Sequence, residues 1–282
     1  MKNDFYVGYL PKAPARLAVW LRRVIAVLLL LLALLAVLVA GNQHRFASTN
    51  FEYGQPTTLK GKVSLTPVPR LTIKSGQNQQ GLPVVKSLLL VNFGKSGVTE
   101  IFQDLERELG RPLADFEFTL SGTLIYGEGK AVFELTDQRT SILDHTPLDE
   151  PYPQVRMKDL DEQSIYGEII DPKCYFGVMK PGFGKVHRSC AIRCIAGGIS
   201  PVMVKKNADG SQQFVLLVSN NNATNNYTIS RLAGKKLTIS GRLKQMDDWL
   251  VLNYDQQQLA KTQSPQLLAG SALLDEGITR CN

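Results

Sequence analysis

The stretch Phe116–Leu135, FEFTLSGTLIYGEGKAVFEL, decides the fold of this 282-residue chain. Polar and apolar side chains alternate as far as Tyr126, the triplet Gly127-Glu128-Gly129 follows, and a second apolar run begins at Ala131. Alternation with a period of two is typical of a β-strand, and a short glycine-containing segment between two such runs is typical of a turn. The stretch therefore predicts a β-hairpin.

A second hairpin with the same pattern is expected nearer the C-terminus. Leu237–Leu243 corresponds to Phe118–Leu124, and Trp249–Tyr254 corresponds to Ala131–Leu135. Correspondence at two successive strands favours a duplicated unit, because internal repeats leave this kind of self-similarity in a sequence.

Glycines in the strands place the two copies in register. Gly122 follows Gly61 by 61 positions and Gly241 follows Gly167 by 74, so the second copy is 13 residues longer. Short strands with glycine at fixed places, a helix or long loop after the third strand and a closing hairpin are typical of OB-type barrels. We therefore expect a mainly β protein in which a transmembrane helix precedes two tandem OB-like barrels with one or two helices.

Other local patterns set the expected boundaries. Apolar residues at helical spacing between Val98 and Leu109 predict a helix. The segment His145–Pro153 is rich in proline and acidic residues and breaks every period, which favours a linker. The expected order is a basic leader 1–23, a transmembrane helix 24–41, a first OB-like domain 42–144, a linker 145–158, a second OB-like domain 159–258 with an insert at 171–201, and a tail 259–282.

One apolar block predicts the membrane span. Val24–Ala40 has no charge, amide or proline, and with its apolar flanks it approaches the roughly 30 Å of a hydrocarbon core. An apolar core of this length exceeds that of a usual signal peptide, which favours an uncleaved anchor. Residues 1–23 carry five basic residues and one acidic residue, so the positive-inside rule predicts a cytoplasmic N-terminus.

The charge distribution argues against a nucleic-acid partner. The chain has a formal net charge of +7, and the leader before the span supplies much of it. No basic stripe with interleaved aromatic residues follows the span, although such a stripe is what nucleic-acid binding requires.

The insert 171–201 contains three of the four cysteines and one of the three histidines. Lys185–Ala196 has no helix breaker and predicts a short helix. Three metal-ligating residues on this helix are spaced i, i+3 and i+7 and share one face, and a fourth lies just after the preceding strand. The predicted metal ligands are Cys174, His187, Cys190 and Cys194.

One imidazole and three thiolates suit tetrahedral zinc, and the same soft set suits copper, with Met179 or Met203 as an additional soft ligand. Geometry raises an objection to a single four-ligand site. His187 and Cys194 are about 10 Å apart along a straight helix, so an ion that bound both would strain it.

Two other interpretations of the insert remain open. An even number of cysteines outside the cytoplasm predicts disulfides, for example Cys174 with Cys190 or Cys194, while Cys281 could tie the tail to the barrel. Alternatively, Cys190 beside His187 would act as the thiol of an oxidoreductase. Asp171 and Glu168 are interpreted either as a carboxylate pair or, equally well, as alternate positions on an exposed strand.

The insert resembles a signature of bacterial single-span envelope proteins that have no assigned activity. The residues that carry this resemblance are Asp171-Pro-Lys-Cys174, Met179-Lys-Pro-Gly182, His187, Cys190-Ala, Cys194-Ile and Gly197-Gly198. The resemblance implies a location in the bacterial inner membrane.

The first domain is similar to the Surf1-like cytochrome oxidase assembly factors. The similarity rests on a strand before a glycine turn, at Gly81, Pro83-Val84-Val85, Leu89-Leu90-Val91-Asn92 and Gly94. Around the turn, where that family carries an aromatic residue and an arginine, this chain has Phe93 and Lys95. The resemblance implies an accessory role in respiration or metal handling.

Together these patterns predict a single-pass inner-membrane protein with its C-terminal domains in the periplasm. We expect a non-catalytic accessory role in metal handling or in the assembly of a membrane respiratory complex, with zinc or copper at the cysteine and histidine site. No serine, histidine and acid set typical of a hydrolase stands out. The alternative is a disulfide-stapled OB-type module that binds a peptide, a glycan or a partner protein.

Overall fold

The structure is a computed structural model that describes residues 14–42, 49–77, 83–149, 152, 153, 155, 157–220, 226–257 and 259. The chain divides after residue 46 into two compact units, of which the first contains a long helix and the second contains the β-structure.

Helix α1 (Ala15–Asn42) is the single helix, among the described residues, that is long and apolar enough to cross a membrane. None of the apolar window of this helix is buried, which fits a single-pass membrane anchor. The helix starts before the predicted span 24–41 because Ala15–Arg23 consists largely of strong helix formers. Most of the predicted leader, including Lys2 and Lys12, lies outside the described residues.

The first barrel is built from a ring of five strands. Its elements are β1 (Thr49–Phe51), β2 (Thr57–Ser64), β3 (Arg70–Gln77), β4 (Pro83–Val91), α2 (Thr99–Leu109), β5 (Phe116–Gly127), β6 (Lys130–Leu135) and β7 (Ile142–Pro147). Strands β2, β3 and β4 form an antiparallel meander, β4 pairs in parallel with β6, and β5 pairs with both β6 and β2. The added strands β1 and β7 both pair with β5.

The second barrel repeats this order. Its elements are β8 (Met157–Ile170), α3 (Gly184–Ala196), β9 (Val202–Lys206), β10 (Gln212–Ser219), α4 (Tyr227–Ser230), β11 (Lys236–Met246) and β12 (Trp249–Tyr254). The strands close in the order β10-β12-β11-β8-β9, with a parallel contact between the third and fifth strands as in the first barrel. Helices α2 and α4 each lie between the third and fourth strands. The predicted mainly β fold with two tandem OB-like barrels is confirmed.

The glycines that suggested the repeat occupy equivalent places. A Cβ atom added at Gly61 would lie 2.3 Å from the carbonyl oxygen of the second strand of its barrel, and one at Gly167 would lie 2.6 Å from the equivalent atom. At Gly122 and Gly241 the added atom would lie 2.5 and 2.1 Å from a carbonyl oxygen of the fifth strand. These glycines allow neighbouring strands to approach closely as the barrels curve.

The predicted linker 145–158 overlaps both barrels. His145–Pro147 extends β7, where Phe116 lies opposite Pro147, and Met157 already begins β8. Strand β7 forms because β5 has a free edge beside Phe116–Leu120 whose backbone groups need partners. Of the predicted tail, Leu259 is buried against the second barrel, and residues 260–282 lie outside the described residues.

The two barrels share a hydrophobic core. One buried cluster combines Leu89, Val91 and Val132 of the first barrel with Phe176 and Trp249 of the second. Cys174 and Cys194 belong to the same cluster. The insert is therefore part of the junction between the barrels.

Candidate metal centre

The insert starts with a helical turn that follows β8. Residues Cys174–Val178 have π-helical geometry, and Met179 N donates to the carbonyl oxygen of Cys174 at 3.2 Å. Pro172 suits the first turn because its missing N–H would have no helical partner there. Gly177 packs against the first barrel, where an added Cβ would lie 2.5 Å from Ile125 Cγ2. This turn fixes Cys174 at the barrel junction.

Helix α3 carries the other predicted ligands. His187 and Cys194 are buried and Cys190 is half-buried, whereas Val186 and Ser189 are exposed. The predicted helix over Lys185–Ala196 is confirmed.

The ligand atoms form two groups that share Cys174. The outer triad consists of Cys174, His187 and Cys190, and the inner triad consists of Asp171, Cys174 and Cys194. Within each triad the three ligand atoms lie within 4.8 Å of one another. Bond lengths of about 2.0–2.3 Å to zinc place any two of its ligands within about 4.6 Å, so the spacing in each triad is close to that of a metal site.

The four predicted ligands do not form a single group. Neither triad contains both His187 and Cys194, which lie two helical turns apart on α3. The rise of the helix separates them, and Cys174 lies close to both. Cys190 joins the group of His187, and Cys194 joins that of Asp171.

Asp171 completes the inner triad and was not predicted as a ligand. The interpretation of Asp171 as a residue on an exposed strand is wrong, since its exposed fraction is 0%. One carboxylate oxygen accepts from Lys173 N at 3.0 Å, while the other, Oδ2, has no hydrogen-bond partner among the described residues. The half-buried Glu168 instead accepts from the backbone N–H of Gly184 at the start of α3. The only sequence signal for Asp171 was its position three residues before Cys174 in a proline-containing turn.

Burial alters the protonation of the shared thiol and of the imidazole. The pKa of Cys174 is raised by its hydrogen bond with Cys194, by burial and by the negative charge of Asp171. Burial lowers the pKa of His187, and the charge of Asp171 only partly opposes this. At neutral pH His187 is therefore neutral, which is the form that binds a metal, and Cys174 holds a proton that a metal must displace.

The imidazole also has an unused polar atom. His187 Nε2 is buried without a hydrogen-bond partner among the described residues. Buried polar atoms without a partner are rare in proteins and call for an explanation such as a bound ion. One nitrogen, three sulfurs and one carboxylate oxygen are ligands of zinc, and the nitrogen and sulfurs also suit copper.

The first barrel contributes a loop to the site. The Lys95 loop, residues 92–97, follows β4 and contacts the C-terminal end of α3. Lys95 Nζ donates to Cys190 Sγ at 3.2 Å, and this hydrogen bond raises the pKa of Lys95. Gly97 N donates to the carbonyl oxygen of Gly197 at 2.8 Å. Sequence reasoning missed the contact between Lys95 and Cys190 because these residues are 95 positions apart in the chain.

A buried ion pair ties the insert to the first barrel. Lys173 Nζ lies 2.7 Å from Glu134 Oε1 of β6, and both side chains are buried. The same ammonium donates to the carbonyl oxygens of Asn92 and Gly94 in the Lys95 loop, at 3.0 and 2.7 Å. Lys173 precedes Cys174, so this pair fixes the position of the shared ligand.

The remaining sequence predictions concern disulfides and methionine ligands. Cys174, Cys190 and Cys194 are free thiols in this structure, and Cys281 lies outside the described residues. Met179 is 45% exposed, and Met203 is buried in the core of the second barrel.

Comparisons of this chain with protein-family models, with curated proteins and with solved structures find no match.

Proposed function

We propose that this chain is a membrane-anchored accessory protein that binds a thiophilic metal ion, zinc(II) or copper(I), at the outer triad. The observation that carries the proposal is the convergence of His187 with the sulfur atoms of Cys174 and Cys190 within 4.8 Å. Three protein ligands leave a coordination position open, as in zinc sites that exchange a ligand.

Access to the site supports metal handling rather than a purely structural ion. Cys190 is half-buried, and the exposed Lys95 side chain covers its sulfur atom. An incoming ion can displace the lysine ammonium from the sulfur atom of Cys190 without opening the core. The buried members, Cys174 and His187, then complete the ligand set.

The proposed location is the bacterial inner membrane, with the barrels in the periplasm. The exposed apolar helix α1 and the excess of basic residues in the leader support this orientation. A metal-binding protein held at that surface can serve a membrane-bound respiratory complex, and we propose such a complex as its partner.

The test is metal binding by the full-length protein in detergent, without a polyhistidine tag. Reduced, chelator-stripped protein is titrated anaerobically with Zn²⁺ or with Cu⁺ against a chromophoric competitor. We expect the wild type to bind at least one of these ions, and His187→Ala and Cys190→Ser to bind it about tenfold more weakly or worse, since even outer-shell changes cost 10–100-fold.

Ser189→Ala is the matched control, because Ser189 is exposed on the same helix and should leave binding unchanged. A wild type that takes up neither ion would contradict the proposal. Unchanged affinity in both ligand variants would also contradict it. Mass mapping of the native chain tests the disulfide alternative, which requires a bridge at Cys174.

A further inference from the structure

The inner triad is a second set of metal ligands beneath the outer one. Asp171, Cys174 and Cys194 are all buried, and their ligand atoms lie within 4.8 Å of one another. An independent observation points to a missing cation here, because Asp171 Oδ2 is fully buried and has no hydrogen-bond partner among the described residues.

The charge of Asp171 needs compensation. An ionised carboxylate buried without a cation is unfavourable, since hydrogen bonds from neutral groups replace its lost hydration only in part. The nearby ammonium groups have other partners, Lys173 in the ion pair with Glu134 and Lys95 at the sulfur of Cys190. Neither ammonium group therefore compensates the carboxylate, and a bound cation would do so.

We propose that a second zinc ion binds at the inner triad and that the thiolate of Cys174 bridges it to the ion of the outer triad. This inference rests on the proposed function, because the bridge requires an ion at His187 and Cys190. A single ion cannot replace the two proposed ions, since neither triad contains both His187 and Cys194.

Ligand chemistry selects zinc for this arrangement. A carboxylate oxygen is a common ligand of zinc, whereas copper(I) prefers soft sulfur donors. Two Zn²⁺ ions also match the charge of three thiolates and one carboxylate, so the buried site is neutral when both are bound. With the outer ion alone, the outer triad is neutral and Asp171 retains an uncompensated charge.

Zinc stoichiometry of the full-length protein tests the inference. Protein in detergent, reduced and stripped of metal, is saturated with Zn²⁺ alone, and bound zinc is counted by elemental analysis after the free ion is removed. We expect two zinc ions per chain in the wild type and in Ser189→Ala. We expect one in Asp171→Asn and in Cys194→Ser, which retain the outer triad.

The outcomes separate this inference from the proposed function. One zinc ion in both the wild type and Asp171→Asn would overturn the second ion and leave the outer triad in place. Two ions in Asp171→Asn would place the second ion elsewhere and would also overturn the inference. A wild type that binds no zinc would overturn both proposals.

A spectroscopic measurement on the wild type tests the bridge without a variant that might misfold. The protein is titrated with Co²⁺ in place of Zn²⁺, and the electron paramagnetic resonance signal is followed. A shared thiolate couples the two cobalt spins, so we expect the signal of the first ion to fall as the second binds. Additive signals from the two ions would overturn the bridging role of Cys174.

Discussion

Cys174 controls the chemistry of the site because both triads depend on its sulfur atom. Its hydrogen bond with Cys194, its burial and the charge of Asp171 all raise its pKa, so the free protein holds this group as a thiol at neutral pH. His187 behaves oppositely, because burial lowers its pKa and keeps it neutral. Metal binding must therefore remove a proton from Cys174 and none from His187 near pH 7.

Zinc affinity should consequently rise with pH. Each proton that the metal displaces makes the affinity increase about tenfold per pH unit, so we expect at least that slope between about pH 6.5 and 8. In this range Cys174 is still protonated in the free protein, while His187 has already lost its proton. Competition titrations at several pH values measure the slope, and calorimetry in buffers of different ionisation enthalpy counts the released protons.

An affinity that does not change across this pH range would contradict the raised pKa of Cys174. Below that range the affinity should fall more steeply, because His187 then also takes up a proton that the metal must displace.

At the scale of elements, the site depends on close packing between α3 and the Lys95 loop. A Cβ atom added at Gly197 would lie 1.9 Å from the carbonyl oxygen of Lys95, and one at Gly97 would lie 2.4 Å from that of Gly198. Gly197 has a φ of −76°, which any residue adopts. This glycine is therefore required by the approach of the loop and not by its own backbone conformation.

Gly197→Ala should destabilise the protein although alanine favours a helix more than glycine does. The methyl group would push the Lys95 loop away from α3, at a cost of about 1–3 kcal/mol, which is typical of overpacking. Urea unfolding of the full-length protein in detergent measures the change. Ala196→Ser, at the exposed neighbouring position, is the control and should have little effect. Equal or greater stability of Gly197→Ala would refute the close approach.

At the scale of the whole molecule, three kinds of contact hold the two barrels together. Besides the shared hydrophobic core, Asp247 Oδ2 in the turn between β11 and β12 accepts from Ser87 N of β4 at 2.9 Å. The buried ion pair between Lys173 and Glu134 links the insert to β6. Because the pair is buried, removal of one partner leaves the other charge without compensation.

Lys173→Met should therefore lower the free energy of unfolding by about 3–5 kcal/mol, the usual cost of breaking a buried pair. The double variant Lys173→Met with Glu134→Met should recover part of this loss, because it leaves no unpaired charge. Denaturant unfolding of the full-length variants measures both effects.

Arg242→Met provides the matched control, since the pair of Arg242 with Asp159 is exposed and its loss should change stability little. A loss in Lys173→Met as small as in this control would show that the buried pair does not hold the insert. A double variant no more stable than Lys173→Met would exclude the unpaired charge as the cause.

Most of the fold could be predicted because it follows from local patterns. Alternation in Phe116–Leu135 and its counterpart predicted the hairpins, and four glycines predicted the duplication. Strands β1 and β7 were not predicted, since both are short and form where β5 offers free backbone groups. Their existence depends on a neighbouring strand more than on their own residues.

The candidate site was predictable only in its ligand types. The helical spacing of His187, Cys190 and Cys194 predicted a shared face, and the rise of the helix already indicated that the first and last of them could not easily bind one ion. Asp171 was not recognised as a ligand, because a single aspartate near a strand carries no spacing signal. Its burial results from the docking of the insert between the barrels.

The sequence by itself determined the long apolar helix α1, the two barrels and the face of α3 that carries the imidazole and two sulfur atoms. These features depend on residues close in the chain, whose periodicity is visible without coordinates. Only the tertiary structure decided that Cys174 is shared between two triads, that Asp171 is buried beside it and that Lys95 and Glu134 of the first barrel reach the insert. Such contacts join residues far apart in the chain, and they form only when the two barrels pack around a common core.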